Sequence, residues 1–385
     1  MKTLKWIALG FTVALLLAAL AQAQTFSTLY NFTGGSDGSY PYGGVVKDSA
    51  GNLYGTTEQG GSNYSTGTVY ELTTDGTEVV LHSFDASYHD GFLPYAPLII
   101  DGNGNLYGTT SFGGSGGGIV FRLSPPRSQS ETILHAFTGS STDGCFPYQG
   151  VVITASGTIY GTTTQCGANN LGTIFEISPS GEETLLHSFG GARDGQYPYY
   201  GRLLADKQGN LYGLTEEGGR FDDGVLYKLS IKKKLTVLHT FAGGTKDGCL
   251  PFGTPVVDSA GNFYGTTQQC GAYGGGTVWK INRDGKETVL HSFRGGASDG
   301  EYPVAGVTLD SQGNIYGVTQ QGGVAGVGTV YMLTKNGGLT LLHSFDNSDG
   351  AYPFDELLRD TQGKLYGTTA VGGANGYGTV WSLTP

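Results

Sequence analysis

The sequence predicts an all-β protein, a seven-bladed β-propeller of four-stranded antiparallel blades, and three observations carry that prediction. The segment LYGTT and its variants place Tyr54, Tyr107, Tyr160, Tyr212, Tyr264, Tyr316 and Tyr366 at successive differences of 53, 53, 52, 52, 52 and 50 residues. A period of this size marks stacked supersecondary units, of which propeller blades are one class. An Asp-Gly pair keeps step with it at Asp37, Asp90, Asp143, Asp194, Asp247, Asp299 and Asp349, each ahead of a proline (Pro41, Pro94, Pro147, Pro198, Pro251, Pro303, Pro353). The two ends of the chain also complement each other: TFSTLYNF near the start reads as a lone fourth strand, and PFDELLRD, KLYGTT and GTVWSL at the end read as first, second and third strands. Together they make the seventh blade, and closure removes the edge strands that an open array would expose.

Within one unit the strands follow in order. GGVVKD is the first, SAGN the turn after it and LYGTT the second strand; a Gly-rich loop leads to GTVYEL, the turn TTDG and EVVLHSF. Four short strands in about 50 residues is the measure of a propeller blade. The third strand carries an aromatic in each copy, Tyr70, Phe121, Phe175, Tyr227, Trp279, Tyr331 and Trp381, and alternates apolar with polar residues. The second strand carries a glycine (Gly55, Gly108, Gly161, Gly213, Gly265, Gly317, Gly367), which weakens a strand unless something bulky packs there. Those aromatics are its expected occupants.

Composition fits an exported β protein. The 385 residues include 68 Gly, 24 Tyr and 18 Phe, with 14% charged residues against about 25% in an ordinary soluble domain. Residues 1–23 have the form of a signal peptide: Lys2 and Lys5, an apolar run from Trp6 to Leu20, then Ala21-Gln22-Ala23, with cleavage expected after Ala23. The apolar run is shorter than the ~20 residues a spanning helix needs, so the mature chain, 24–385, is expected to be a single propeller domain, secreted or periplasmic, monomeric and without a transmembrane segment. The formal charge of −11 becomes two units more negative without Lys2 and Lys5, which argues against nucleic acid or an anionic membrane as partner.

The tandem unit LHSF…DG.YP…GVV.D..GN.YGTT…GG…GTVY.L resembles the GloVer repeat of exported bacterial proteins, from Thr25 to Leu383. The resemblance implies an extracytoplasmic propeller-like protein and implies no activity and no catalytic residues. Members vary in their C-terminal anchors; no sorting tail is read before Pro385, so attachment to the cell surface is not expected.

Propeller topology then orders the cysteines. Strands alternate in direction, so the connection into the first strand and the loop between second and third emerge on one face. Cys145 is therefore expected to pair with Cys166, and Cys249 with Cys270, out of three possible connectivities. Six histidines, His82, His135, His187, His239, His291 and His343, share one place in LHSF, with Tyr30 in the first copy, and read as rings needing one hydrogen-bond partner each. His89 stands outside the pattern. The aspartates that end the first strands (Asp48, Asp101, Asp206, Asp258, Asp310, Asp360, with Thr154 in the third copy) read as Asx-type turns, their spacing lacking the alternating oxygens of a calcium loop.

Function is sought on the face of the disulfides. It gathers the seven Asp-Gly aspartates with Tyr42, Tyr95, Tyr148 and Tyr199, and flat rings beside carboxylates suit carbohydrate. The competing reading is that these groups lock the blades together. Symmetry breaks most clearly at Glu216, Glu217, Asp222 and Asp223 around Arg220, a further candidate for a cation or a basic partner. No catalytic constellation, cofactor or metal ligand set is identified. The expected function is a noncatalytic binding or scaffolding propeller for a glycan or a cell-surface protein; the alternative is a glycan-cleaving enzyme using carboxylates of the same face.

Overall fold

The computed structural model describes residues 24–62, 65–85, 90–124 and 131–385; the expected signal peptide (1–23) and His89 lie outside them. Seven four-stranded antiparallel sheets form the blades, with three two-stranded ribbons beside them and no helix among the described residues. Blades 1 to 6 span 46–83, 99–136, 152–188, 204–240, 248–292 and 308–344. Blade 7 combines 358–384 with the N-terminal strand Thr25–Asn31, which pairs antiparallel with Thr379–Thr384. The expected one-plus-three closure is thus observed.

The second-strand glycines explain how a blade is built. Gly55 lies opposite Tyr70 in the register, and Gly265 opposite Trp279. A Cβ on Gly55 would sit 2.4 Å from the Tyr70 hydroxyl and 2.6 Å from its ring, and one on Gly265 would sit 2.4 Å from the Trp279 ring, closer than atoms can approach. The same holds for Phe121 over Gly108, Phe175 over Gly161 and Trp381 over Gly367, so the large rings lie flat across the second strand. Each ring then meets the phenylalanine that ends the preceding blade. Phe32–Tyr70, Phe84–Phe121, Phe137–Phe175, Phe189–Tyr227, Phe241–Trp279, Phe293–Tyr331 and Phe345–Trp381 stand with centroids 5.2, 5.4, 5.1, 5.3, 5.6, 5.2 and 5.7 Å apart. All seven phenylalanines are fully buried.

The turns behave as read. Asp101 accepts the N–H groups of Asn103 and Asn105, the side chain of Asn105 and the hydroxyl of Tyr107, and Asp206, Asp258 and Asp310 repeat the set. Burial pushes these carboxyls up, but the combined hydrogen bonds hold them below their ordinary range. The LYGTT tyrosine therefore caps the turn that precedes it.

A less legible feature is backbone strain. The residue before each Asp-Gly proline (Tyr40, Leu93, Phe146, Tyr197, Leu250, Tyr302, Tyr352) has φ between 53° and 58°, the left-handed region. Hydrogen bonds to the neighbouring blade hold it: the N–H of Phe146 donates to Gly117, that of Tyr197 to Leu171 and that of Leu250 to Asp223. Each blade entry is thereby tied to the loop of the blade before it.

Both expected disulfides are present, Cys145–Cys166 and Cys249–Cys270, each spanning 21 residues. The first joins the ribbon strands Gly144–Cys145 and Gln165–Cys166, so it staples a blade entry to the same blade's second-to-third loop. Replacing Cys145 and Cys166 together by serine should lower unfolding free energy by about 3 kcal/mol through the freed loop, read as a lower urea midpoint for the oxidised protein.

Candidate functional site

The Asp-Gly aspartates and the LHSF histidines turn out to be partners. Nε2 of His82, His135, His187, His291 and His343 lies 3.2, 3.2, 2.8, 3.1 and 2.7 Å from a carboxylate oxygen of Asp90, Asp143, Asp194, Asp299 and Asp349. In the copy at the chain start the hydroxyl of Tyr30 donates to Asp37 at 3.0 Å. The same carboxylates accept backbone N–H groups of their own turns: Thr138 and Gly144 donate to Asp143 at 2.8 and 2.7 Å, Ala242 and Gly248 to Asp247 at 2.8 and 2.6 Å. Burial raises the Asp143 carboxyl, and the bonds from His135 and the backbone more than offset it, so it rests below the usual range. These aspartates are distributed one per blade junction, and their oxygens are engaged there.

The aromatics of that face meet on the propeller axis. Tyr42 packs on Tyr95, Tyr95 on Tyr148, Tyr148 on Tyr199, and Tyr199 on Tyr200, with centroids 5.6, 5.2, 4.8 and 4.3 Å apart. Tyr200 also contacts Phe252 and Phe354 at 5.0 Å, and Phe354 closes the circle onto Tyr42 at 5.2 Å. Residues from all seven blades line this point, and only about 10 Å³ of open space remains. The rings cover one another and seal the axis. Tyr95 donates to Glu58 at 2.6 Å, while burial raises Glu58 despite that bond.

Beneath the plug lies a set of charges that the sequence reading missed. Asp355 accepts the N–H of Gly44 at 2.5 Å and that of Glu356 at 2.6 Å. Glu356 accepts the N–H of Thr254 at 2.6 Å and stands 3.6 Å from the Arg202 guanidinium. Blade 7 thus reaches blades 1, 4 and 5. Burial, and then the charge of Glu356, push the Asp355 carboxyl above its ordinary range. Beside these groups is a cavity of about 400 Å³ with walls of Val256, Val307 and Leu357. A signal was present in the chain: at these two places the other copies read Gly43-Gly44, Ala96-Pro97, Gln149-Gly150, Gly201-Arg202, Gly253-Thr254 and Ala305-Gly306. Charge is confined to copies 4 and 7.

In the acidic loop of blade 4 the described carboxylates do not pair with Arg220. Arg220 is exposed and lies over the Phe221 ring at 5.3 Å, and no ion pair among the described residues includes it. Glu217 accepts from Gln196 at 3.0 Å and Asp222 from the N–H of Gly218 at 3.1 Å. Burial and then Glu217 raise Glu216 to about 7, and burial, Asp222 and Asp247 raise Asp223. A hollow of about 600 Å³ between blades 4 and 5 is larger than the axial cavity, but Asp206 in its wall closes its own turn and Lys228 lies over Tyr212.

Seven closed blades around a plugged axis define the class: a seven-bladed β-propeller. The chain belongs to the Gloeobacter/Verrucomicrobia repeat family, whose repeat matches residues 19–220 and 199–385. No curated protein matches its sequence. Among solved structures, puromycin hydrolase is similar with a TM-score of 0.54 and 11% identity, covering 86% of this chain and 50% of that one. A gluconolactonase from Xanthomonas campestris gives 0.46 and 13%, covering 93% and 88%, and a putative 6-phosphogluconolactonase from Bacteroides fragilis gives 0.49 and 16%, covering 86% and 85%. At these identities the likeness is one of fold.

Glu356→Ala leaves the Thr254 N–H and the Arg202 guanidinium without their acceptor and should cost about 2 kcal/mol. Arg220→Ala, on the exposed loop, should change stability by less than about 0.5 kcal/mol. Paired urea denaturation curves check both.

Proposed function

We propose that the protein is an exported, noncatalytic binding propeller that holds a carbohydrate in the axial cavity, against Arg202, Asp355 and Glu356. The observation that carries this reading is the break in symmetry: near-identical blades surround one asymmetric, charged hollow of about 400 Å³. Carboxylates accept from sugar hydroxyls, a guanidinium donates to ring and hydroxyl oxygens, and apolar walls meet C–H faces. The Asp-Gly face, where the motifs first pointed, supports this placement by contrast, since its aspartates are bonded within their turns and its rings within the plug. Two disulfides support an oxidising compartment, secreted or periplasmic. No helix among the described residues is long and apolar enough to cross a membrane.

Glycan cleavage is the second reading, and one observation favours it. Burial and the neighbouring Glu356 charge push the Asp355 carboxyl above its ordinary range, and a carboxyl held in this way beside a second one suits the acid role in glycan cleavage. One experiment separates the two. The mature protein is applied to an oligosaccharide array, with Glu356→Gln, Arg202→Met and the exposed-loop variant Arg220→Ala alongside, and bound glycans are analysed by mass spectrometry. Retention that falls at least tenfold in the two axial variants and holds in Arg220→Ala is the expected result. Shortened glycans would replace binding with catalysis, and silence across the array would overturn the carbohydrate reading.

A further inference from the structure

Three of the seven blade junctions bring a second acidic group to the His–Asp pair. His82, Asp90 and Glu131 form one cluster, His135, Asp143 and Glu183 a second, and His239, Asp247 and Glu287 a third; in each, one ligand atom per residue lies within 4.8 Å of the others. The glutamate opens the fourth strand of the next blade, so every cluster bridges two blades. One oxygen of Glu131, Glu183 and Glu287 is buried and has no hydrogen-bond partner, and the Glu131 and Glu287 side chains are only 10% and 9% exposed. A buried carboxylate oxygen without a donor, set against a second carboxylate, is costly unless a proton or a cation completes it.

The imidazole at blades 4 and 5 points the same way. Nδ1 of His239 lies 3.2 Å from the carbonyl oxygen of Gly285, so its N–H donates there and Nε2 is the nitrogen that faces the acids. That Nε2 is buried, 3.1 Å from Glu287 and 3.9 Å from Asp247, yet aligned with no acceptor. Metal-bound histidines are held in this way, the second nitrogen donating to a backbone carbonyl.

We propose that these three junctions are zinc-class divalent cation sites, each built from one imidazole and two carboxylates and bridging adjacent blades. Nitrogen and carboxylate oxygen ligands at about 2.0–2.2 Å suit zinc in a tetrahedral shell, whose ligand atoms stand roughly 3.3 Å apart. The separations of 3.2 and 3.7 Å at His82 are of that size. Three protein ligands leave a fourth position for water, and side-chain exposures of 14% to 20% for the histidines leave it a route. The remaining junctions are internal controls. Leu235 and Leu339 occupy the glutamate position beside His187–Asp194 and His291–Asp299, and Phe26 occupies it beside His343–Asp349, where it stacks on the imidazole. At the seventh junction Tyr30 replaces the histidine beside Asp37 and Glu78, so Glu78 keeps a buried oxygen without a hydrogen-bond partner but the nitrogen ligand is missing. There the His–Asp contact, or its Tyr–Asp counterpart, is a plain hydrogen bond.

The test is zinc stoichiometry. Mature protein without a histidine tag is stripped with chelator, dialysed against a buffered zinc solution and analysed by plasma mass spectrometry. Three equivalents per chain are expected. Glu131→Leu, Glu183→Leu and Glu287→Leu should each remove one, and all three together should abolish both binding and the zinc-dependent rise in Tm. The two natural leucines at this position make those variants compatible with the fold. Leu235→Glu should add a fourth equivalent, an outcome that misfolding cannot imitate. Less than one equivalent in the parent protein, or an unchanged count in the triple variant, would overturn the proposal.

Discussion

Everything else in the molecule rests on a three-part stack repeated at each blade boundary. A glycine in the second strand lets the third-strand aromatic lie flat, as Gly213 does for Tyr227, and the ring then presents its face to the phenylalanine that ends the previous blade. Edge-to-face contact of this kind adds about 0.5–1.5 kcal/mol to the burial of the rings themselves. Because the stack links one blade's last strand to the next blade's third, a blade cannot bury its core alone. The ring closes when Phe32, delivered by the N-terminal strand that completes blade 7, reaches Tyr70 of blade 1.

The stack also decides where variation is tolerated. Residues that serve it, or that serve the entry turns, recur in all copies, and their polar atoms are absorbed by neighbours in the same repeat. The His291–Asp299 pair illustrates this, its carboxylate accepting from the imidazole and from the backbone N–H groups of Arg294 and Gly300. Positions outside those duties are free to diverge. On the axis they become Arg202, Asp355 and Glu356, and at the start of the fourth strand they alternate between glutamate and leucine. The aromatic plug separates the axial cavity from the loop-rich face, so among the described residues the axial volume lies at the opposite end.

The architecture was legible in the sequence because it depends on periodic packing: the blade count, the strand order, the closure by both ends, the glycine-under-aromatic rule and both disulfides follow from spacing alone. The site was less legible, for two physical reasons. Tyr42, Tyr95 and Tyr148 look like a ligand platform in a list of residues, and only the convergence of seven blades on one axis reveals that their faces cover each other. Asp355 and Glu356 sit in the least regular part of the repeat, beside a phenylalanine in place of the usual tyrosine, and their partners Gly44, Thr254 and Arg202 are far away in sequence. Similarly, the aspartates of Asp-Gly and the histidines of LHSF keep step in the chain, but which ring meets which carboxylate depends on a turn whose strained residue, such as Phe146 with φ of 58°, is not a glycine.

The central claim, that the aromatic stack at each boundary holds the ring as one unit, is tested most directly by the unfolding of Phe189→Ala. Phe189 is fully buried and meets Tyr227 across the junction of blades 3 and 4. On this claim a loss of about 3–5 kcal/mol is expected, with a single transition seen alike by tryptophan fluorescence and circular dichroism. A loss below about 1 kcal/mol would contradict it, as would a transition that splits in two, because either would mean that the blades stand without that contact.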